Sequence, residues 1–331
     1  MQTSSTENSP IRYGFLVVEN YSMIAISSAI EPLRMANRIS DKTLYEWFLV
    51  TLDGNPVPAS NGLIINPDFA VADVSSLNAL FVCSGLDAAN SFSKQLKNVL
   101  RRKASQKIPL GALCTGSYLL AKSGLLDGYQ CTIHWENIAS MREEFPQIRF
   151  SEELFEIDRD RYTCAGGSAP LDLMLKLIAN THGNQIAIDI SEMFLCDRIR
   201  DKKDRQRIPL QIQLGANQTI LIEAVTLMET NIEEPISLEE LSHYVGISRR
   251  HLERLFRKYL NCVPTRYYMD LRLKRARQLL LQTNKSIIEV ALACGFVSAP
   301  HFSKCYRDFY GLPPRQERQQ KLVIPATNKT S

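Results

Sequence analysis

The run Gly111-Ala-Leu-Cys114-Thr-Gly116 leads straight into the helix-forming Ser117-Tyr-Leu-Leu120. A cysteine at the end of a strand, then a small residue, a glycine and a helix start, is the pattern of a nucleophile elbow. There a thiol stands on a tight turn at a helix N-terminus, which can activate it. Twenty residues on, His134 opens His134-Trp135-Glu136, and a His brought to a Cys would form a nucleophile–base pair. The same residues also allow binding without reaction. Backbone N–H groups after Cys114, at Thr115 and Gly116, could hold a ligand carboxylate, while Trp135 or Glu31 could hold a cationic head. The bland alternatives are a small buried Cys114, a core Trp135 and a solvated Glu31.

A second chemistry lies in the last hundred residues, which contain an internal repeat. Ser237-Leu-Glu-Glu240 aligns with Ser286-Ile-Ile-Glu289, each an S-x-x-E capping box that opens a helix. Leu241, Ser242, Val245 and Gly246 match Val290, Ala291, Cys294 and Gly295 at an offset of 49. The offset becomes 50 where Phe296-Val297 replaces Ile247, and Ser248, His251, Leu252, Phe256 and Arg257 then match Ser298, His301, Phe302, Tyr306 and Arg307. Each copy therefore predicts helix, glycine turn and a second helix with a serine N-cap, which is helix-turn-helix grammar.

In each second helix the spacing turns Leu252, Leu255, Phe256 and Tyr259, or Phe302, Tyr306 and Phe309, inward. The opposite face carries Ser248, Arg249, Arg250, Glu253, Arg254 and Arg257 in the first copy. In the second it carries Ser298, Pro300, His301, Ser303, Lys304 and Arg307. These residues are the candidates for contact with DNA, early ones to base edges and later ones to phosphates. His251 and His301 share one repeat position, where packing or capping is the preferred reading. Residues 265–283 form a basic helical strut of roughly 28 Å, with Arg272 and Lys274 as further phosphate candidates. That length approaches the ~34 Å between successive major-groove faces.

Charge supports a polyanion partner. Residues 248–318 hold 15 Lys/Arg against 5 Asp/Glu, whereas residues 1–214 hold 22 against 24. A basic module on a near-neutral body fits a nucleic-acid binder. The 331 residues suggest two domains, and the 45% hydrophobic content excludes a disordered or collagen-like chain. No uninterrupted apolar run is long enough for a membrane helix, so no membrane partner is expected. Residues 1–10 are polar, and the eight cysteines contain no C-x-x-C pair. Both features suit a cytoplasmic protein, with no metal or cofactor implied.

Residues 11–182 alternate continuously apolar strands, expected at 14–18, 48–51, 79–83 and 109–113, with helices at 23–37, 90–102, 116–123 and 170–182. That alternation predicts an α/β domain with a flavodoxin-like parallel sheet, its sites at the carboxyl ends of the strands. A further helix at 186–195 precedes a charged linker at 197–214, expected to be solvated, and a flexible tail is expected at 319–331. The sensing domain is thus placed at 11–196 and the all-α, double helix-turn-helix domain at 215–318.

The closing run Gly295-Phe-Val-Ser298…His301-Phe-Ser…Phe309-Tyr-Gly-Leu-Pro-Pro314 resembles the AraC/XylS-type regulators over residues 217–318. That resemblance implies promoter DNA as partner, a homodimer, activation and contact with RNA polymerase. Residues 11–182 resemble the PfpI-like proteins of the glutamine-amidotransferase superfamily, through the Cys114 elbow and Ala165-Gly-Gly-Ser-Ala-Pro-Leu-Asp172. Thr115 stands where peptidase-type members carry His, which implies a retired active site with Cys114 and His134 as its remnants. The alternative is a Cys114-dependent hydrolase or deglycase with a DNA-binding appendage. The two domains in this order resemble the GlxA-like regulators. Glu31-Pro-Leu-Arg-Met-Ala-Asn37 together with Cys114-Thr-Gly116 implies control by an amino acid or quaternary amine, such as arginine, glycine betaine or carnitine.

Overall fold

The computed structural model describes residues 9–204, 206 and 218–321. These divide into two compact units, residues 1–207 and 208–331.

The first unit is built on seven strands. They are β1 (Ile11–Val17), β2 (Tyr45–Thr51), β5 (Phe69–Ala70), β6 (Ala79–Ser84), β7 (Leu110–Cys114), β10 (Phe155–Asp158) and β11 (Arg161–Cys164), in spatial order β10-β11-β7-β6-β1-β2-β5. Two-residue strands β3 (Val57–Pro58) and β4 (Ile64–Ile65) pair with each other, as do β8 (Gln130–Cys131) and β9 (Arg149–Phe150). The sheet is parallel as expected except at one edge, where β10 runs antiparallel to β11. Only Arg159 and Asp160 connect those strands, and Arg159 takes φ 54°, so the chain turns back as a tight hairpin instead of crossing over.

Continuous burial along β6 and β7 follows from helices on both faces. One face packs against α1 (Met23–Ser40), α5 (Ala169–His182) and α6 (Asn184–Met193); the other packs against α2 (Lys94–Ser105), α3 (Gly116–Lys122) and α4 (Trp135–Glu144). Each helix starts where the sequence offers a cap or a turn: Ser22 accepts from Ala25 N–H, and Ser93 accepts from Leu96 N–H.

The second unit is helical: α7 (Thr219–Thr230), α8 (Leu238–Tyr244), α9 (Arg249–Leu260), α10 (Pro264–Gln282), α11 (Ile287–Ala293), α12 (Ala299–Tyr310) and α13 (Pro314–Lys321). Pro264 and Pro314 open the helices after each copy, where a missing N–H costs nothing. The core has two centres joined by α10. Tyr268 near its start packs with Leu252 and Phe256, whereas Leu273, Ala276 and Leu279 pack with Phe302 and Tyr306. Helix α13 continues to Lys321, so its last residues occupy the start of the expected tail; residues 322–331 lie outside the described residues.

The linker expectation also changes. Leu154 N–H donates to the Lys202 carbonyl (3.0 Å), and the Arg200 guanidinium bonds Asp172 and the Ser168 hydroxyl. Gln206 donates to Thr132 Oγ1 and to the carbonyls of Ile133 and Glu153. The first half of the expected linker is therefore a strap on the first unit. Residues 205 and 207–214 lie outside the described residues.

Candidate functional site

Cys114 ends β7 with φ 60°, the left-handed region, and is 7% exposed. A strained non-glycine residue between strand and helix is the elbow read from the sequence. Close packing requires Gly116, because a Cβ there would lie 2.1 Å from the Val82 carbonyl oxygen of β6. Thr115 donates its hydroxyl to the Gly85 carbonyl (2.7 Å), so that side chain braces the turn.

His134 is brought to the elbow: its N–H donates to the Cys114 carbonyl (3.3 Å). A Cβ on Gly166 would lie 2.4 Å from His134 Cδ2 and 3.0 Å from Cys114 Sγ, so both side chains close on one glycine. No hydrogen bond joins Sγ to the imidazole among the described residues. Instead His134 caps α4, its Nδ1 accepting from Glu136 N–H (3.4 Å). Burial pushes the His134 pKa below the usual imidazole range, with Glu136 opposing. The same Nδ1 lies 3.8 Å from the Glu136 carboxylate. Burial also pushes the Cys114 thiol up to about 11, against a downward pull from Thr115 N–H. Trp135 stays 36% exposed beside His134, with ring centroids 5.7 Å apart.

Glu31 does not join them. It pairs with Arg34 (2.6 Å) and lines a separate groove of about 270 Å³ with Ile30, Trp47 and Asp68. No hydrogen bond or ion pair links Glu31 to Cys114 or His134 among the described residues.

In the second unit the repeat is reproduced bond for bond. Ser237 and Glu240 form a reciprocal capping box, as do Ser286 and Glu289. Gly246 and Gly295 make the turns at φ 69° and 71°, and beneath them Ser242 and Ala291 are buried. Ser248 and Ser298 cap α9 and α12 by accepting from His251 and His301 N–H, each at 3.3 Å. The His301 ring lies against Phe296 and contacts Cys305 Sγ at 3.4 Å, so packing accounts for it. Leu252 and Phe256, like Phe302 and Tyr306, point into the core.

The comparisons with known proteins agree with this geometry. The model of a helix-turn-helix domain matches residues 241–320, and that of the DJ-1/PfpI family matches residues 17–180. The HTH-type transcriptional regulator GbdR of Pseudomonas aeruginosa is 54% identical over 310 residues, covering 94% of this chain and 84% of that protein. CdhR of the same species is 42% identical, covering 95% and 92%, and GlxA of Rhizobium meliloti is 33% identical, covering 97% and 99%. A solved AraC family transcriptional regulator from Pseudomonas putida superimposes with a TM-score of 0.51 at 31% identity, covering 56% of this chain and all of that one. The chain belongs to the AraC-type transcriptional regulators with an N-terminal DJ-1/PfpI domain.

In this regulator α9 and α12 carry the candidates for DNA contact, and these are unequal in freedom. Arg249 is held by Glu239 (2.7 Å) and Glu253 (3.1 Å). Arg250, Arg254 and Arg257 are exposed, with no bonded partner among the described residues. On α12, Pro300, Lys304 and Arg307 are exposed and Ser303 half-buried.

Arg272 requires a correction. Its guanidinium turns inward, donating to the carbonyls of Cys294 (2.8 Å) and Gly295 (2.7 Å) and lying 4.1 Å over the Phe296 ring. It fastens the second glycine turn to α10 and is not free for phosphate, whereas Lys274 is exposed. Arg272→Ala should therefore destabilise the second unit by about 2 kcal/mol through lost charged hydrogen bonds. Lys274→Ala should leave melting unchanged and lower the salt slope of DNA binding by about 1. Unfolding curves and affinity measured over a salt series check the pair.

Residue-by-residue reading missed Gly166, Arg200 and Gln206. The doublet Gly166-Gly167 was the available signal for the first. Arg200 and Gln206 sit in a run whose mixed charge resembles any solvated segment.

Proposed function

We propose that the regulator activates catabolic genes in response to an amino acid or quaternary amine, such as arginine, glycine betaine or carnitine. The effector is held at Cys114, Thr115, Gly116, His134 and Trp135. The observation that carries this reading is a buried Cys114 thiol, its pKa pushed up by burial, that makes no hydrogen bond to the His134 imidazole among the described residues. Such a site can bind, whereas nucleophilic attack needs a base engaged on the thiol. Backbone N–H groups at the elbow suit a carboxylate, and the indole of Trp135, 36% exposed, is the ring type that suits an ammonium.

The strap offers a route outward. Gln206 bonds the carbonyl of Ile133, next to His134, and Arg200 bonds Ser168, in the turn that begins at Gly166. An effector that shifts either turn shifts the strap's hold, and it acts only by binding the two states unequally. The reading includes a cytoplasmic homodimer on promoter DNA that contacts RNA polymerase.

Thermal melting of the full chain with glycine betaine, carnitine or arginine tests it. At a hundred times its Kd an effector adds about 2.7 kcal/mol to the first unit, and Trp135→Ala should weaken that response. No shift with any of the three removes the effector class. Turnover of test substrates that vanishes in Cys114→Ala would favour the hydrolase alternative. Cys114 should also resist alkylation at pH 7, where about one thiol in 10⁴ is ionised.

A further inference from the structure

The two copies differ at the edge that would enter the groove. In the first, a single residue, Ile247, half-buried, links Gly246 to Ser248. In the second, two residues do so. Phe296 takes the core position at 2% exposure, packed on Phe302 with centroids 5.1 Å apart and covered by Arg272, whereas Val297 is 94% exposed. The turn behind Val297 is held by the Arg272 bonds to the Cys294 and Gly295 carbonyls. An apolar branched side chain is thus presented to water on a fixed backbone, immediately before the N-cap of α12.

The groups beside Val297 on that edge include no arginine. Ser298 Oγ accepts the cap bond from His301 N–H, and the His301 ring contacts Cys305. Pro300, exposed on the first turn, carries no N–H, and Lys304 stands where the first copy has Arg254. The matching edge of α9 instead offers Arg250 and Arg254, exposed and without bonded partners among the described residues. Arginine suits guanine O6 and N7, while an apolar side chain in the major groove suits the C5-methyl of thymine.

We propose that Val297, supported by Pro300, reads a thymine methyl group, so that the half-site under α12 is selected by apolar contact and the half-site under α9 by arginine. This rests on the DNA-reading function above. The test begins with selection of duplexes from a randomised library by the full-length protein. Each thymine of the tightest duplex is then replaced by deoxyuridine, which removes only the methyl group. Wild type should lose about 4-fold in affinity at one position, the worth of one buried methyl group. Val297→Ala should bind both duplexes alike, and Val297→Thr, which keeps one methyl, should retain part of the difference. Indifference of wild type to every replacement, or unchanged sensitivity in Val297→Ala, overturns the proposal. A library that yields no enriched sequence overturns the DNA-reading function itself, and this inference with it.

Discussion

Glu317→Ala is expected to destabilise the helical unit by about 3 kcal/mol, the lower end of the cost of breaking a buried charged pair. Glu317 is 6% exposed and holds two partners, Arg277 Nε at 2.6 Å and the Tyr306 hydroxyl, which donates to the other carboxylate oxygen. Removal leaves the Tyr306 hydroxyl without its acceptor in the core, while the half-exposed Arg277 can turn to water; the lower figure follows from that escape. At 4–8 °C per kcal/mol for a unit of this size, melting should fall by roughly 12–24 °C. Glu317→Gln keeps the shape and one acceptor and should lose about half as much. Calorimetry of the full chain, in which the first unit's transition stays in place, checks this. Unchanged melting in both variants would show that α13 does not lock the second copy.

Gly116→Ala should be as damaging to the other unit. The new Cβ would sit 2.1 Å from the Val82 carbonyl oxygen and 3.0 Å from its carbon, in a fully buried strand that has no room to withdraw. Helix α3 must lift from the sheet by about 1 Å, at a cost of about 3 kcal/mol, and the elbow moves with it. Gly128→Ala, whose Cβ meets nothing within 4 Å at φ 73°, should cost only about 1 kcal/mol for the left-handed backbone. Loss of effector-induced melting shifts in Gly116→Ala, with retention in Gly128→Ala, is the expected pair of results. A Gly116→Ala variant that melts like wild type would contradict the packing described at the elbow.

Much of this was legible in the chain because local and tertiary demands coincide. The Cys114–Gly116 spacing predicts the elbow, and the two S-x-x-E boxes with their glycines predict both helix-turn-helix copies. Periodicity also places Phe256 and Tyr306 in the cores. Legibility failed where a side chain's role depends on a distant partner. Arg272 and Lys274 are both basic and two residues apart, but only the packing of Phe296 and the carbonyls of the second turn decide which one faces inward. Arg200 and Gln206 read as solvated until Asp172 and Thr132 meet them. Glu31 carries the right chemistry for a cation, but its pairing with Arg34 was not legible from the run Glu31–Asn37. The antiparallel edge was missed because a two-residue turn at Arg159 lacks the usual glycine or asparagine signal.

Hydroxyl-radical footprinting of the full chain on a library-selected duplex tests the tandem reader most directly. Two protected stretches on one face of the helix, about 10 base pairs apart, are expected, with Arg250→Ala weakening one and leaving the other. One continuous or single protected stretch, or equal weakening everywhere, would contradict two recognition helices carried at the ends of α10.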